Sequence, residues 1–208
     1  MALHTVELAP RERGLDRTLI LLHGFGADEH DLLPLVHELD PRLRAVSLQA
    51  PIALGGGARA WFNLMMGPRG MSFDANEVRE GVDAAVSAVE EIARNSPRPI
   101  LLGFSQGAGM ALSVALRRPE LASAVISLSG VLRSLEPHDL APAEKLRGFP
   151  VFAAHGLQDP VVPLALGRSI RDEVQRLGLA LEWHEYPMGH TIIPQEVADL
   201  RAWLRTQV

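Results

Sequence analysis

The sequence predicts an α/β protein with a mostly parallel central sheet and helices on both faces, and three observations carry that expectation. Short, uninterrupted apolar runs recur along the chain, of the kind that a strand buried on both faces needs. Between them lie stretches whose apolar residues repeat at three- and four-residue intervals, the period of an amphipathic helix. The two patterns alternate toward the C-terminus, which implies βαβ units. No repeat, linker or change of composition interrupts them, and 208 residues suit one domain, 1–208, better than two.

In chain order, His4 to Leu8 is expected as an antiparallel edge strand. Arg17 to His23 (RTLILLH) is the first strong apolar run, followed by Leu43 to Leu48. Val78, Val82, Val86, Val89 and Ile92 then mark a helix over Asn76 to Asn95, ended at Asn95-Ser96-Pro97. Pro99 to Phe104 is a strand feeding a helix over Gln106 to Arg117, stopped near Pro119. Ala122 to Leu128 and Val151 to His155 are strands. Leu164 to Leu177 is a helix closed by Gly178, and Leu181 to Tyr186 is the last strand. The final helix runs from Pro194 to about Thr206, with proline suited to its first turn and Val197, Leu200 and Leu204 on one face. Pro99 to Leu116 carries no charge, but its glycines, Ser105 and Gln106 fit a strand–turn–helix rather than a membrane span.

A formal net charge of −5, with arginines scattered along the chain, argues against nucleic acid as a partner. The absence of cysteine excludes disulfides, thiolate nucleophiles and zinc–thiolate sites. Met1 to Pro10 lacks a basic start followed by an apolar stretch, so no signal peptide is expected and the location is read as cytoplasmic.

In parallel sheets, functional groups gather at the carboxyl ends of the strands. Gly103-Phe104-Ser105-Gln106-Gly107 is the one G-x-S-x-G, entered by PILLGF and left by QGAGMALSVALRR. A serine on a tight strand-to-helix turn is held in a strained conformation, and glycine two residues to either side removes a clash. The pattern alone is weak, and its context makes it specific. Ser105 is therefore the candidate nucleophile.

A serine hydroxyl needs a base, and the base an orienting acid, in the chain order Ser, Asp or Glu, His. His190, in PMGH between the last strand and the last helix, is the candidate base. His138 also follows Ser105, His184 reads as a strand residue, and His155 as packing or bonding its turn. Asp159, directly after the strand that precedes the one delivering His190, is the candidate acid. Asp139 is the fallback, and Asp172 falls mid-helix. The oxyanion needs preorganised N–H donors: Gln106 N–H, following the nucleophile, and Phe25 N–H, from the loop LLHGFGAD after the first strong strand. A phosphate site in that loop is disfavoured, because no lysine follows and Lys145 is the one lysine of the chain. Leu64 to Phe73 holds three of the six methionines, whose flexible thioethers suit an adaptable apolar surface. Trp61, Leu64, Met65 and Val161 are expected to border the acyl pocket, with ordinary core filling as the competing reading.

The blocks LLHGFGAD, QAPIALGGGARAWFNL, GFSQGAGMAL, RRPELASAVISLSG, PVFAAHGLQDPVVP and WHEYPMGHTIIPQEVADLRAWL together resemble the phospholipase/carboxylesterase family of the α/β-hydrolase fold. That family includes bacterial carboxylesterases and acyl-protein thioesterases, and the likeness runs from Leu21 to the C-terminus. It implies Ser105, Asp159 and His190 as triad and Phe25 with Gln106 as oxyanion hole. Phe25 stands where leucine is common, Asn63 where aspartate is frequent, and Ala108-Gly109 inverts a common order. None of these touches the triad. A homodimer would accord with the family.

The expected activity is hydrolysis of carboxylic esters through an acyl-enzyme on Ser105, with thioesters within reach of the same chemistry, on a small-molecule ester or acyl substrate. Neither metal nor organic cofactor is expected. The rate should fall as pH drops through an imidazole's ordinary titration, ~6.5. The rivals are lactone opening, perhydrolysis, lysophospholipase or acyl-protein thioesterase activity on the same triad, and a non-catalytic ligand-binding member of the fold.

Overall fold

Leu19, Ile20, Leu21 and Leu22 are all fully buried, so consecutive residues of one strand face protein on both sides. That strand lies inside the central sheet of the computed structural model, which describes residues 2–67, 70–94, 97–131 and 139–207. The strands, in chain order, are β1 (Thr5–Leu8), β2 (Thr18–Leu22), β3 (Arg44–Leu48), β4 (Ile52–Gly55), β5 (Ala58–Ala60), β6 (Met65–Gly67), β7 (Gly70–Ser72), β8 (Ile100–Phe104), β9 (Ala124–Leu128), β10 (Pro150–Gly156) and β11 (Ala180–Tyr186). Seven of them form one sheet in the order β1-β3-β2-β8-β9-β10-β11. All neighbours are parallel except β1, which pairs antiparallel with β3 at the edge as expected.

The helices are α1 (Leu33–Leu39), α2 (Ala75–Ala93), α3 (Gln106–Arg117), α4 (Ala143–Leu146), α5 (Leu164–Arg176) and α6 (Pro194–Leu204). Alternate strand residues enter opposite cores, because side chains along a strand point to opposite faces. Ile20, Leu22, Leu101, Val125 and Val151 pack with α2, α3 and α5 through Val82, Val89, Leu112 and Ile170. Leu19, Leu21, Ile100, Ile126 and Phe152 pack on the other face with Val36 and Leu39 of α1 and Leu200 and Trp203 of α6. Expected and observed element bounds differ by one to a few residues at the ends.

Three features depart from the sequence reading. Helix α1 was not anticipated: it has seven residues, its cap position is Leu32 without a capping bond, and Pro34 lies in its first turn. The segment between β3 and α2 is not plain loop but two hairpins, β4–β5 and β6–β7. A four-residue helix, α4, precedes β10. The helix stop at Asn95 and Ser96, His138, and Pro68 and Arg69 of the methionine-bearing segment lie outside the described residues.

Candidate active site

The strand β8 ends in a turn so tight that Ser105 takes φ 54° and ψ −117°, a left-handed conformation that costs of order 1–3 kcal/mol for a residue with a side chain. Its neighbours make the turn sterically feasible. A Cβ on Gly103 would lie 2.2 Å from the Gly107 carbonyl oxygen, and one on Gly107 would lie 2.0 Å from the Leu22 oxygen. The first glycine thus clears the elbow itself, whereas the second lets α3 dock against β2. Ser105 N–H donates to Leu128 O at 2.9 Å, which ties the turn to the end of β9.

Two further carboxyl ends converge on the serine. After β11, His190 places Nε2 2.9 Å from Ser105 Oγ and Nδ1 2.7 Å from Asp159 Oδ2. A carboxylate only accepts, so Nδ1 carries the proton and Nε2 is left to accept from the serine hydroxyl. Asp159 Oδ1 in turn accepts the N–H groups of Val161 and Val162 at 2.9 and 2.8 Å. Burial pushes the Asp159 carboxyl up, but the bonds from His190, Val162 and Val161 outweigh it and hold the group below the usual carboxylate range. The ring of Phe104 lies 4.8 Å from that of His190. Gly156 allows the two loops to meet: a Cβ there would be 2.5 Å from the Met188 and Gly189 oxygens.

The loop after β2 approaches the elbow at Gly24, where a Cβ would stand 3.4 Å from Ser105 Cβ. Gln106 opens α3, so its N–H has no acceptor within the helix and lies at the helix's positive end. Sequence reasoning gave His23 no role. Its ring is fully buried, Nε2 accepts the Ala50 N–H at 3.1 Å, and Nδ1 donates to Gly24 O at 2.8 Å. Burial lowers its pKa against the opposing Gly24 bond and the charges of Asp28, Glu29 and Asp31, so it braces the loop as a neutral ring. The histidine before the glycine of LLHGFGAD was the available signal, but nothing in the pattern told bracing from packing.

The expected acyl-pocket residues divide. Met65 and Val161 are 52 and 49% exposed, Leu64 is half-buried against the core, and Phe25, expected for its backbone N–H, is 41% exposed. Trp61 is a correction: its side chain is fully buried, with the indole N–H donating to His23 O at 3.0 Å, so it underlies the loop instead of facing a substrate. His155 bonds its turn, as expected, through Nε2 to Val162 O at 2.8 Å. His184 is a strand residue stacked on Phe152 and Tyr186. Among the described residues Asp28, Glu29 and His30 bring metal-ligand atoms within 4.8 Å of one another. Asp28 Oδ1 there already accepts the His30 N–H, and Gln49 donates to both Glu29 oxygens.

The chain is similar over nearly its whole length to known proteins. The sequence model of the family described as Phospholipase/Carboxylesterase matches residues 5–208. The chain is 29% identical to acyl-protein thioesterase 1 of Gibberella zeae, over 92% of this chain and 90% of that protein. It is 28% identical to the crystal structure of esterase PE8, covering all of both chains with a TM-score of 0.81. The Bacillus cereus carboxylesterase superposes with a TM-score of 0.84 over 99% of this chain and 95% of that one, at 23% identity, a likeness of fold.

Proposed function

Because the chain belongs to the phospholipase/carboxylesterase family, with its α/β-hydrolase fold, we propose that it is a serine hydrolase of carboxylic esters acting through an acyl-enzyme on Ser105. The observation that carries this reading is the unbroken hydrogen-bond chain from Asp159 through His190 to Ser105. His190 Nε2 takes the hydroxyl proton as Oγ attacks the acyl carbon, and Asp159 stabilises the resulting imidazolium. The oxyanion is held by the N–H groups of Gln106 and Phe25, each worth on the order of 3 kcal/mol in the transition state. Collapse passes the proton from His190 to the departing alcohol. Water, deprotonated by the same ring, then releases the acid.

Phe25, in the loop that approaches Ser105 through Gly24, and Val161, whose N–H binds Asp159, are exposed and support an apolar acyl group beside the triad. Thioesters are the second reading, favoured by the thioesterase named among the relatives; a thiolate leaves more readily than an alkoxide and asks no more of the triad.

The test is hydrolysis of p-nitrophenyl esters across acyl lengths, beside acyl thioesters, by wild type and Ser105→Ala. Turnover should be present in the wild type and fall at least about 10³-fold in the variant. A folded wild type that neither turns over any ester or thioester nor labels with a fluorophosphonate would overturn the proposal.

A further inference from the structure

An oxyanion hole works only if its two donors keep a fixed spacing, and here the donors come from separate strands, β2 and β8. A third piece of chain touches both. From the middle of β5 onward, residues Arg59 to Phe62 run between the loop that carries Phe25 and the elbow that carries Gln106. Toward the loop, Gly26 N–H donates to Arg59 O and Arg59 N–H donates to Ala27 O, both at 2.9 Å, while the Trp61 indole donates to His23 O. Toward the elbow, the bonds come from one side chain. Gln106 Oε1 accepts the Trp61 N–H at 2.8 Å, and Gln106 Nε2 donates to Phe62 O at 2.8 Å. Helix α2 closes the segment from behind, for a Cβ on Gly81 would stand 2.7 Å from Trp61 O.

Building on the reading above, we propose that the Gln106 side chain is a positioning residue, clamping Arg59–Phe62 so that this strut sets the distance between the Phe25 and Gln106 donors. The chemistry calls for an amide. Consecutive backbone groups present a donor, Trp61 N–H, and an acceptor, Phe62 C=O, and only an amide of this length offers the matching pair. Gln106 is 3% exposed, so water cannot substitute for either bond. The same residue therefore supplies one oxyanion donor through its backbone and sets its distance from the other through its side chain. Displacement of a donor by a fraction of an ångström is felt where charge develops on the substrate oxygen, not in ground-state binding.

The test compares Gln106→Glu, whose carboxyl keeps an acceptor but offers the Phe62 carbonyl a donor only while protonated, and Gln106→Met, which loses both, with wild type. Active enzyme is counted by fluorophosphonate labelling taken to completion. Per labelled site, kcat on a p-nitrophenyl ester should fall about 10- to 100-fold in Gln106→Met and less in Gln106→Glu. KM should stay within about threefold, and a trifluoromethyl ketone should lose affinity in proportion to kcat/KM. If Gln106→Met does not fold, Gln106→Glu and Trp61→Phe, which removes the bond to His23, carry the comparison. A kcat per labelled site within about twofold of wild type, whatever the loss of thermal stability, would reduce the clamp to a structural role and overturn the inference. Ser105→Ala in the same series separates the two claims. If it is inactive while the Gln106 variants keep wild-type kcat, this inference falls alone; if it turns over normally, both fall.

Discussion

At Ser105 the backbone conformation and the hydrogen-bond chain are separate contributions, and single residues can test each. Asp159→Asn keeps the shape of the acid but can present an N–H where His190 needs an acceptor. It should lower kcat on the order of 10³- to 10⁴-fold with little change in KM. A loss below about tenfold would remove Asp159 from the proposed triad. Gly107→Ala tests the elbow. Its methyl would meet Leu22 O at 2.0 Å, which no rotamer relieves, so β2 and α3 must separate. The urea midpoint should fall by the equivalent of about 2 kcal/mol or more, and an unchanged midpoint would show that the contact yields freely. The residues of the proposed triad were legible because each stands at a strand's carboxyl end in a required chain order. Trp61 was misplaced because an aromatic beside a methionine-bearing segment looks the same in sequence whether it faces substrate or core. The Gln106 clamp was invisible, since its partners are backbone groups 44 and 45 positions away.

At the scale of elements, the pattern reported the long helices and central strands and missed the pieces too short to show a period. Helix α1 spans barely two turns, and β4–β5 turns through Gly55, Gly56 and Gly57, whose positive φ values suit glycine and carry no side-chain pattern. Helix α6 was expected, but not that its first turn buries an acid. Glu196 is fully buried, and burial pushes its pKa up to about 8, with the Ile193 backbone N–H the one opposing influence. The folded state therefore holds a proton that the unfolded chain releases near ~4.3. Between those values the folded form binds more protons, so this group's contribution to stability declines as pH rises and levels off above about 8. Glu196→Gln removes the titration. Its stability relative to wild type should rise from pH 5 to pH 8 by on the order of a few kcal/mol, read as urea midpoints at each pH. Parallel curves for the two proteins would mean that Glu196 is charged in the fold.

For the whole molecule, the distribution of the site over the sheet decides how activity should be lost. Ser105 and Phe25 follow the neighbouring strands β8 and β2, whereas Asp159 and His190 follow β10 and β11, and β11 is an edge strand paired on one side. An edge is where a sheet opens first, and its loss would separate His190 from Ser105 before the centre of the sheet unfolds. Packing opposes that. Trp203 of α6, the helix that follows His190, lies tilted against Phe152 of β10 with ring centroids 5.7 Å apart, and Val197, Leu200 and Leu204 share a core with α1 and with Leu19 and Ile100 of the central strands. Arg201 donates to the Glu38 carbonyl of α1, fastening α6 to the helix beside it on the same face of the sheet. The edge is thus stapled to the centre through one shared core, and the chain should unfold as one domain. Ester hydrolysis, near-ultraviolet circular dichroism and far-ultraviolet circular dichroism should then follow a single urea transition with coincident midpoints. Activity lost at clearly lower urea than the far-ultraviolet signal would place a separable β11–α6 unit at the edge. The hydrogen bond from the Ser105 hydroxyl to His190 would then be the weak link of the molecule instead of a product of the core that α1 and α6 share.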